Sequence, residues 1–565
     1  MQARKWLSYI LLMVSMLTLV ACGGGGGSSG SSNSNSAGQQ PDPEVDPPVE
    51  QPPVEQPPVQ EPQADPVSIS GRVTYDSVPH NPFTSGLNYD ATEILPVRGA
   101  EVQLLDASGS VVDQTTTNNQ GFYEFNNPVS IDVRVLVRAE TIATGTPAWS
   151  VRVGDNTSGG ALYALQGALL TANQDSAVRN LHAPSGWNNV LDDYTETRAA
   201  APFAILDAIY SSIETFVAVD GTVQFPHLDV FWSENNIPAE GDLTEGEITT
   251  SFFQSGSNSI YILGAEDIDT DEYDSHVIAH EWGHFFEAAL SRADSIGGSH
   301  SLSSVLDMRV AMSEGWGNAV SGIILDDSVY RDSSTSNQSR GFAIDVESNN
   351  NNSFNVARGW FSEASVQSII YDIYDANNEG VDNISAGLRP IYDVLTSASY
   401  RNSSVFTGIH MFLDSAKSRL PASADRIDDL AEFQLFTVDD ELGSTETNDA
   451  GSSSVLPIYT DLSVGETEEV CVTSQFGTNN RLGNRRYLRI SNLSSGFYTF
   501  TVTRTSGSTQ TNPEVFLQRL PDLFFRSVST QVNIDEGSAN LAAGDYVLEV
   551  FDANQNSACF NVSFN

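Results

Sequence analysis

Positive charge is scarce in this chain of 565 residues: 26 lysines and arginines stand against 73 aspartates and glutamates, a formal charge of −47. A phosphate-neutralising surface cannot be built from that balance, and no basic stripe runs through the sequence, so nucleic acid is excluded as a partner. An acidic surface of this size favours solubility and repels other polyanions. Long apolar runs are equally rare. The one near the N-terminus, 6–21, is shorter than the roughly 20 residues a spanning helix needs, and no other segment reads as a span. Only three cysteines are present, Cys22, Cys471 and Cys559, so at most one disulfide can form within the chain. What the chain has in quantity is apolar side chains, 40% of the total, enough for several globular cores over a length that suits two to four domains.

The N-terminus reads as a targeting segment. Arg4 and Lys5 give a short positive region, the apolar run follows, and it ends at Leu19-Val20-Ala21-Cys22. This resembles the lipobox of bacterial lipoproteins, which implies cleavage before Cys22 and a diacylglycerol on its thiol. Gly23 after the cysteine, in place of Asp, resembles the outer-membrane sorting pattern. The expected location is the bacterial cell envelope, lipid-anchored at the outer membrane or cell surface. Residues 22–65 follow as a Gly/Ser-rich and then Pro/Glu-rich tether that cannot form a core. Outside the cytoplasm Cys471 and Cys559 are expected to form a disulfide; the alternative is two buried thiols.

The expected fold is multidomain: an N-terminal β-sandwich (66–145), a central α+β domain (146–450) and a C-terminal β-sandwich (455–565). Short alternating strands at 68–74, 100–105, 111–116, 122–125 and 131–137, with turns at Gly109 and Asn119-Gln120-Gly121, give the first. Gly71, Gly99-Ala100-x-Val102-x-Leu104 and Gly121-Phe122-Tyr123-x-Phe125 make this segment resemble the carboxypeptidase regulatory-like β-sandwich. That resemblance implies an accessory module without catalysis. Helical periodicity appears at 199–219, 274–290, 308–325 and 363–374, with strands at 228–232 and 259–264. The strand 258–263 is expected to be a sheet edge that a peptide extends. Alternation returns from 455, and this part weakly resembles the β-sandwich found after the catalytic domain of secreted bacterial peptidases.

The stretch that carries chemistry is His276-Val277-Ile278-Ala279-His280-Glu281-Trp282-Gly283-His284, which contains H-E-x-x-H. On a helix, residues four apart share a face. His280 and His284 can therefore both reach one Zn2+ at about 2.0–2.1 Å. Glu281, beside the first ligand, can take a proton from metal-bound water, whose pKa zinc lowers from about 15.7 toward roughly 7. His276, one turn earlier, reads as a structural histidine. A catalytic zinc needs a third protein ligand. Glu287 and Leu290 stand where a metzincin needs Gly and His, which excludes that class.

Downstream, Met312-Ser313-Glu314-Gly315-Trp316-Gly317-Asn318 opens a second helix. This resembles the gluzincins, the thermolysin-like superfamily, and most of all the fungalysin branch, over about 250–380. The resemblance implies a zincin metallopeptidase domain with Glu314 as third ligand, Glu287 and Asp307 being weaker substitutes. It also implies one catalytic Zn2+ and a protein or peptide substrate. Where that family usually has Asp, this chain has Asn318; its amide oxygen can still accept the imidazole N–H, without the negative charge. Tyr371, Tyr374 and His410 are the candidates to stabilise the oxyanion. The run 266–272 reads either as a Ca2+ site or as a solvated acidic loop. The expected function is a cell-surface zinc endopeptidase using a Glu281-activated water. Its rivals are a surface adhesin with a degenerate peptidase domain and a zinc hydrolase of non-peptide amides or glycan-linked substrates.

Overall fold

The computed structural model describes residues 65–349, 356–377 and 380–565. The expected signal peptide, Cys22 and all but the last residue of the tether lie outside the described residues. Everything described belongs to one unit, Pro62–Asn565.

The described residues are β-rich, with their α-helices gathered between Ala201 and Phe433. In the N-terminal part, Ser70–Ser77 pairs antiparallel with Glu93–Pro96 and Phe122–Glu124 and parallel with Leu181–Ala183. A second sheet centres on Asp132–Arg138, flanked by Glu101–Asp106 and Ala164–Gln166. Period-2 alternation sets the inner face, with Val133, Val135 and Val137 fully buried. Pairing interleaves across residue 145. Glu140–Ala143 and Ala148–Asp155 join the central sheet, and strands from 164 to 183 come back to the N-terminal sheets. One apolar core accordingly runs from Val67 through the helical region.

The central sheet has the order Phe252–Gln254, Ser259–Ile262, Gln224–Trp232, Ala148–Asp155, Glu140–Ala143. Ser259–Ile262 is thus not the edge expected from sequence. Phe252–Gln254 pairs antiparallel outside it and takes the edge position. Helices α1 (Ala201–Val219) and α2 (Ser275–Leu290) pack on this sheet, α3 (Met308–Leu325) packs on α2, and α4 (Glu363–Tyr374) packs on α3. By length and composition α1 is apolar enough to cross a membrane, which the sequence reading overlooked, but 56% of it is buried inside the fold. It serves as a core helix, with Phe216 against Trp282 and Phe286 of α2.

Helix α3 is buried on every side, from Met308 to Ile324, as expected of a helix enclosed by other elements. Its close approach to α2 depends on two glycines. A Cβ on Gly283 would sit 2.6 Å from Val320 Cγ1, and a Cβ on Gly317 would sit 2.7–2.9 Å from ring atoms of His280. The hairpin Val329–Ser334 with Arg340–Asp345 follows α3 and places Tyr330 beside His280, ring centroids 6.2 Å apart.

The C-terminal part is two sheets around an apolar core of their own. Thr467–Val472 pairs antiparallel with Ala558–Phe564, and Cys471 lies directly opposite Cys559. The two are bonded, with an S–S distance of 2.01 Å, so the first strand of that sheet is tied to the last.

Candidate metal centre

Apolar side chains of α2, among them Ile278, Ala279, Trp282 and Phe286, are in the core. The helix therefore has one rotation open to it, and that rotation points His280 and His284 the other way, toward α3. Their Nε2 atoms lie 3.1 Å apart. Glu314, one turn inside α3, brings Oε2 to 3.3 Å from each of them. Zinc–ligand bonds of about 2.0–2.1 Å in tetrahedral geometry put ligand atoms about 3.3–3.4 Å from one another. The triangle thus has the edge lengths of one face of a zinc tetrahedron. Two imidazoles and a carboxylate are also a donor set that zinc accepts. Glu287, the substitute ligand, instead accepts from Ser313 Oγ at 2.6 Å. Asp307 caps α3 and binds Arg309.

The tautomers are set by what stands behind the rings. Asn318 Nδ2 donates to Gln367 Oε1 at 2.9 Å, which turns Asn318 Oδ1 toward His280 Nδ1, 3.0 Å away. Nδ1 of His280 then carries the proton and Nε2 has the free lone pair. Behind His284, Ser313 Oγ lies 3.2 Å from Nδ1 and is itself oriented by its bond to Glu287.

Glu281 opens into a cavity of about 490 Å³ shared with His280, His300, Tyr330 and Glu363. The edge-strand N–H of Phe253 donates to its Oε2 at 2.8 Å, which leaves the other oxygen for chemistry. Burial raises its carboxyl above the ordinary range, against the pull of the two imidazoles. For Glu314, burial acts in the same direction, but His284, His300 and His280 outweigh it and hold the carboxyl well below the ordinary range.

His300 was not singled out in the sequence, because it sits alone in a Gly/Ser stretch with no periodic neighbours. Its Nε2 is 3.2 Å from Glu314 Oε2 and its Nδ1 is 2.7 Å from the buried Glu363. Burial would lower its pKa, but these two carboxylates push it up to about 9. The residues expected to stabilise an oxyanion are elsewhere. Tyr371 packs on Gly322 and Tyr374 on Tyr371, away from the cavity. His410 is buried against Trp360 and Phe436, 3.2 Å from Glu446. Helix periodicity explains the error: α4 turns Glu363 and Gln367 toward the site, and its tyrosines fall on another face. His276 is buried, with its Nδ1 3.2 Å from Ser321 Oγ.

The acidic run 266–272 divides. Glu272 pairs with the buried Arg198, and Asp267 accepts from Ser336 and Asn337. Asp269 and Asp271 instead meet Asp332, their ligand atoms all within 4.8 Å of one another.

Among known proteins, residues 230–423 match the family described as the Mycolysin C-terminal domain, a segment that contains both histidines, Glu281 and Glu314. No curated protein matches the chain. Among solved structures, the pre-peptidase C-terminal domain of a Bacillus anthracis collagenase is 12% identical, covering 19% of this chain and 94% of that one, with a TM-score of 0.16. The Aeromonas hydrophila lysozyme inhibitor PliG is 13% identical, over 19% and 97% of the two chains, TM-score 0.13. A family 35 carbohydrate-binding module from Clostridium thermocellum is 17% identical, over 17% and 89%, TM-score 0.11. These structural likenesses are too slight to carry an argument. The family match spans about a third of the chain and relates that segment to peptidases.

Proposed function

We propose that this protein is a zinc-dependent endopeptidase of the thermolysin-like type, held at the bacterial envelope through a lipid on Cys22. The observation that supports this most is the triangle of His280 Nε2, His284 Nε2 and Glu314 Oε2, with edges of 3.1, 3.3 and 3.3 Å. The family match over 230–423 points the same way. The flanking β-domains are read as accessory modules.

These three residues would hold zinc, which would supply a Lewis acid and lower the pKa of a water bound there toward roughly 7. The chain's own residues do the rest. Asn318 and Ser313 fix the two imidazoles so that each presents Nε2. Glu281, oriented by the Phe253 N–H, takes the proton of the attacking water as its oxygen bonds to the peptide carbonyl carbon. It then returns that proton to the amine nitrogen as the C–N bond breaks. His300, clamped at Nδ1 by Glu363, is placed to donate from Nε2 to the carbonyl oxygen as charge builds there. The test is casein digestion by the full chain with and without chelator, alongside metal analysis. Proteolysis should vanish on chelation and return with about one equivalent of zinc. Glu281→Gln should keep the metal and lose at least about a thousandfold in rate. Substoichiometric zinc with no hydrolysis would instead favour a binding lipoprotein with a degenerate peptidase fold.

A further inference from the structure

The far end of the Glu281 cavity has a charge problem that the proposed chemistry does not use. Asp269 and Asp271 approach from one strand end and Asp332 from the hairpin after α3, within 4.8 Å of one another. Asp271 is 3% exposed. One of its oxygens accepts from Ser251 Oγ; the other, Oδ1, accepts no hydrogen bond, and neither does Oδ1 of Asp269. Among the described residues no lysine, arginine or histidine pairs with any of the three. The nearest further group, Asp274, is another carboxylate, already satisfied by Ser333 and His80. Crowding and burial push Asp269 up to about 7 and Asp332 up to about 9, so the cluster holds protons near neutral pH that an arriving cation can displace.

The cavity suggests what the cation is. Val277, Tyr330, Phe342 and Ile344 give its lining an apolar part beside the aspartates, Glu281 and several serines. Asp269 and Asp332 are only half-buried and line the same open space as His280 and Glu281. An apolar part of the lining beside a carboxylate cluster suits a side chain with a methylene stem and a charged tip. A Ca2+ ion wants six to eight oxygens at about 2.3–2.6 Å. Three carboxylates could supply up to six of these, but Asp269 and Asp332 also face the open cavity, where a substrate side chain reaches them, so Ca2+ is the rival that the measurements below separate. We propose that this end of the cavity binds a lysine or arginine side chain of the substrate next to the bond that is cut. The inference rests on the peptidase reading, and it predicts a substrate class that the metal ligands alone do not.

Two measurements separate it from that reading. Quenched peptides differing at one position (Lys, Arg, norleucine or Glu, scanned across the cut) are given to the zinc-loaded full chain. Lysine or arginine at one position should raise kcat/KM over norleucine by about 10–100-fold. That ratio should collapse toward one in Asp332→Asn and in Asp269→Asn. Independently, the same peptides are titrated by anisotropy against Glu281→Gln, which does not need turnover. Charge-selective binding without hydrolysis in the wild type would sink the peptidase reading and keep this inference. Hydrolysis or binding indifferent to the basic side chain would overturn it. So would stoichiometric Ca2+ that disappears in Asp332→Asn while selectivity stays the same.

Discussion

Arg309 and Glu549, 240 residues apart, meet at 3.0 Å in a buried ion pair that joins the start of helix α3 to the C-terminal sandwich. The same guanidinium holds Asp307 at 3.0 Å and donates to the Tyr487 hydroxyl. Glu314 lies little more than one turn further along, so the sandwich anchors the helix that carries the third corner of the candidate metal triangle. Burial would raise the carboxyls of Asp307 and Glu549, but Arg309 outweighs it and both stand below their ordinary range. Groups lowered in the folded state stabilise it fully above the ordinary carboxylate range, and lose that contribution as pH falls through the lowered values. Thermal stability should therefore fall as pH drops below about 5 and on through the lowered carboxyls. Glu549→Gln should be less stable at pH 7, by about 3–5 kcal/mol, since it strips one partner from a buried ion pair. Its acid slope should also be shallower. Melting curves across pH check both, and profiles of equal slope would remove the linkage.

Metal should stabilise the fold as well as activate it, since the donors converge only in the native state. Zinc at about 100 times its Kd should add about 2.7 kcal/mol, read as a rise in Tm that chelator reverses. In Glu314→Ala and His280→Ala the rise should be absent at the same zinc concentration. An undiminished zinc shift in Glu314→Ala would show that the triangle does not hold the ion.

Gly317 tests the helix contact that makes the triangle possible. A methyl group there meets the His280 ring at 2.7–2.9 Å, so Gly317→Ala must push the ring off Asn318 or move α3. Zinc affinity should fall by about 10–100-fold, the scale of a lost partner behind a ligand, while far-UV circular dichroism keeps its helical signal. Wild-type affinity in this variant would mean that the ring has room to spare.

The sequence made the candidate ligands legible because H-E-x-x-H is a local, periodic signal, and because Glu314 falls within the next strongly apolar helix, Met308–Leu325. Alternation likewise marked the strands at both ends of the chain. Three things were hidden. Glycine at 283 and 317 looks like weakness in a helix until the partner helix is seen to need the space. The edge position of Phe252–Gln254 depends on pairing that no window of sequence shows. His300 and Glu363 are brought together over 63 residues by tertiary packing; Glu363 lies in a segment resembling the helix that follows in the fungalysin branch, but nothing in the sequence pairs it with His300.

That last pair gives the sharpest prediction about catalysis. An electrophile that acts as charge develops should affect turnover more than substrate binding. His300→Ala should lower kcat by about 10²–10³-fold, as loss of one oxyanion donor does, with a smaller change in KM. Glu363→Gln keeps a hydrogen-bond acceptor for Nδ1–H but removes its charge, so it should cost less than deleting the ring. Tyr374→Phe, on a different face of the same helix, should leave both constants unchanged. Zinc content measured on each variant separates this from metal loss, because His300 Nε2 also stands 3.2 Å from Glu314 Oε2. A kcat deficit with full zinc occupancy supports the donor role. A deficit that tracks lost zinc would instead make His300 a positioning residue for Glu314.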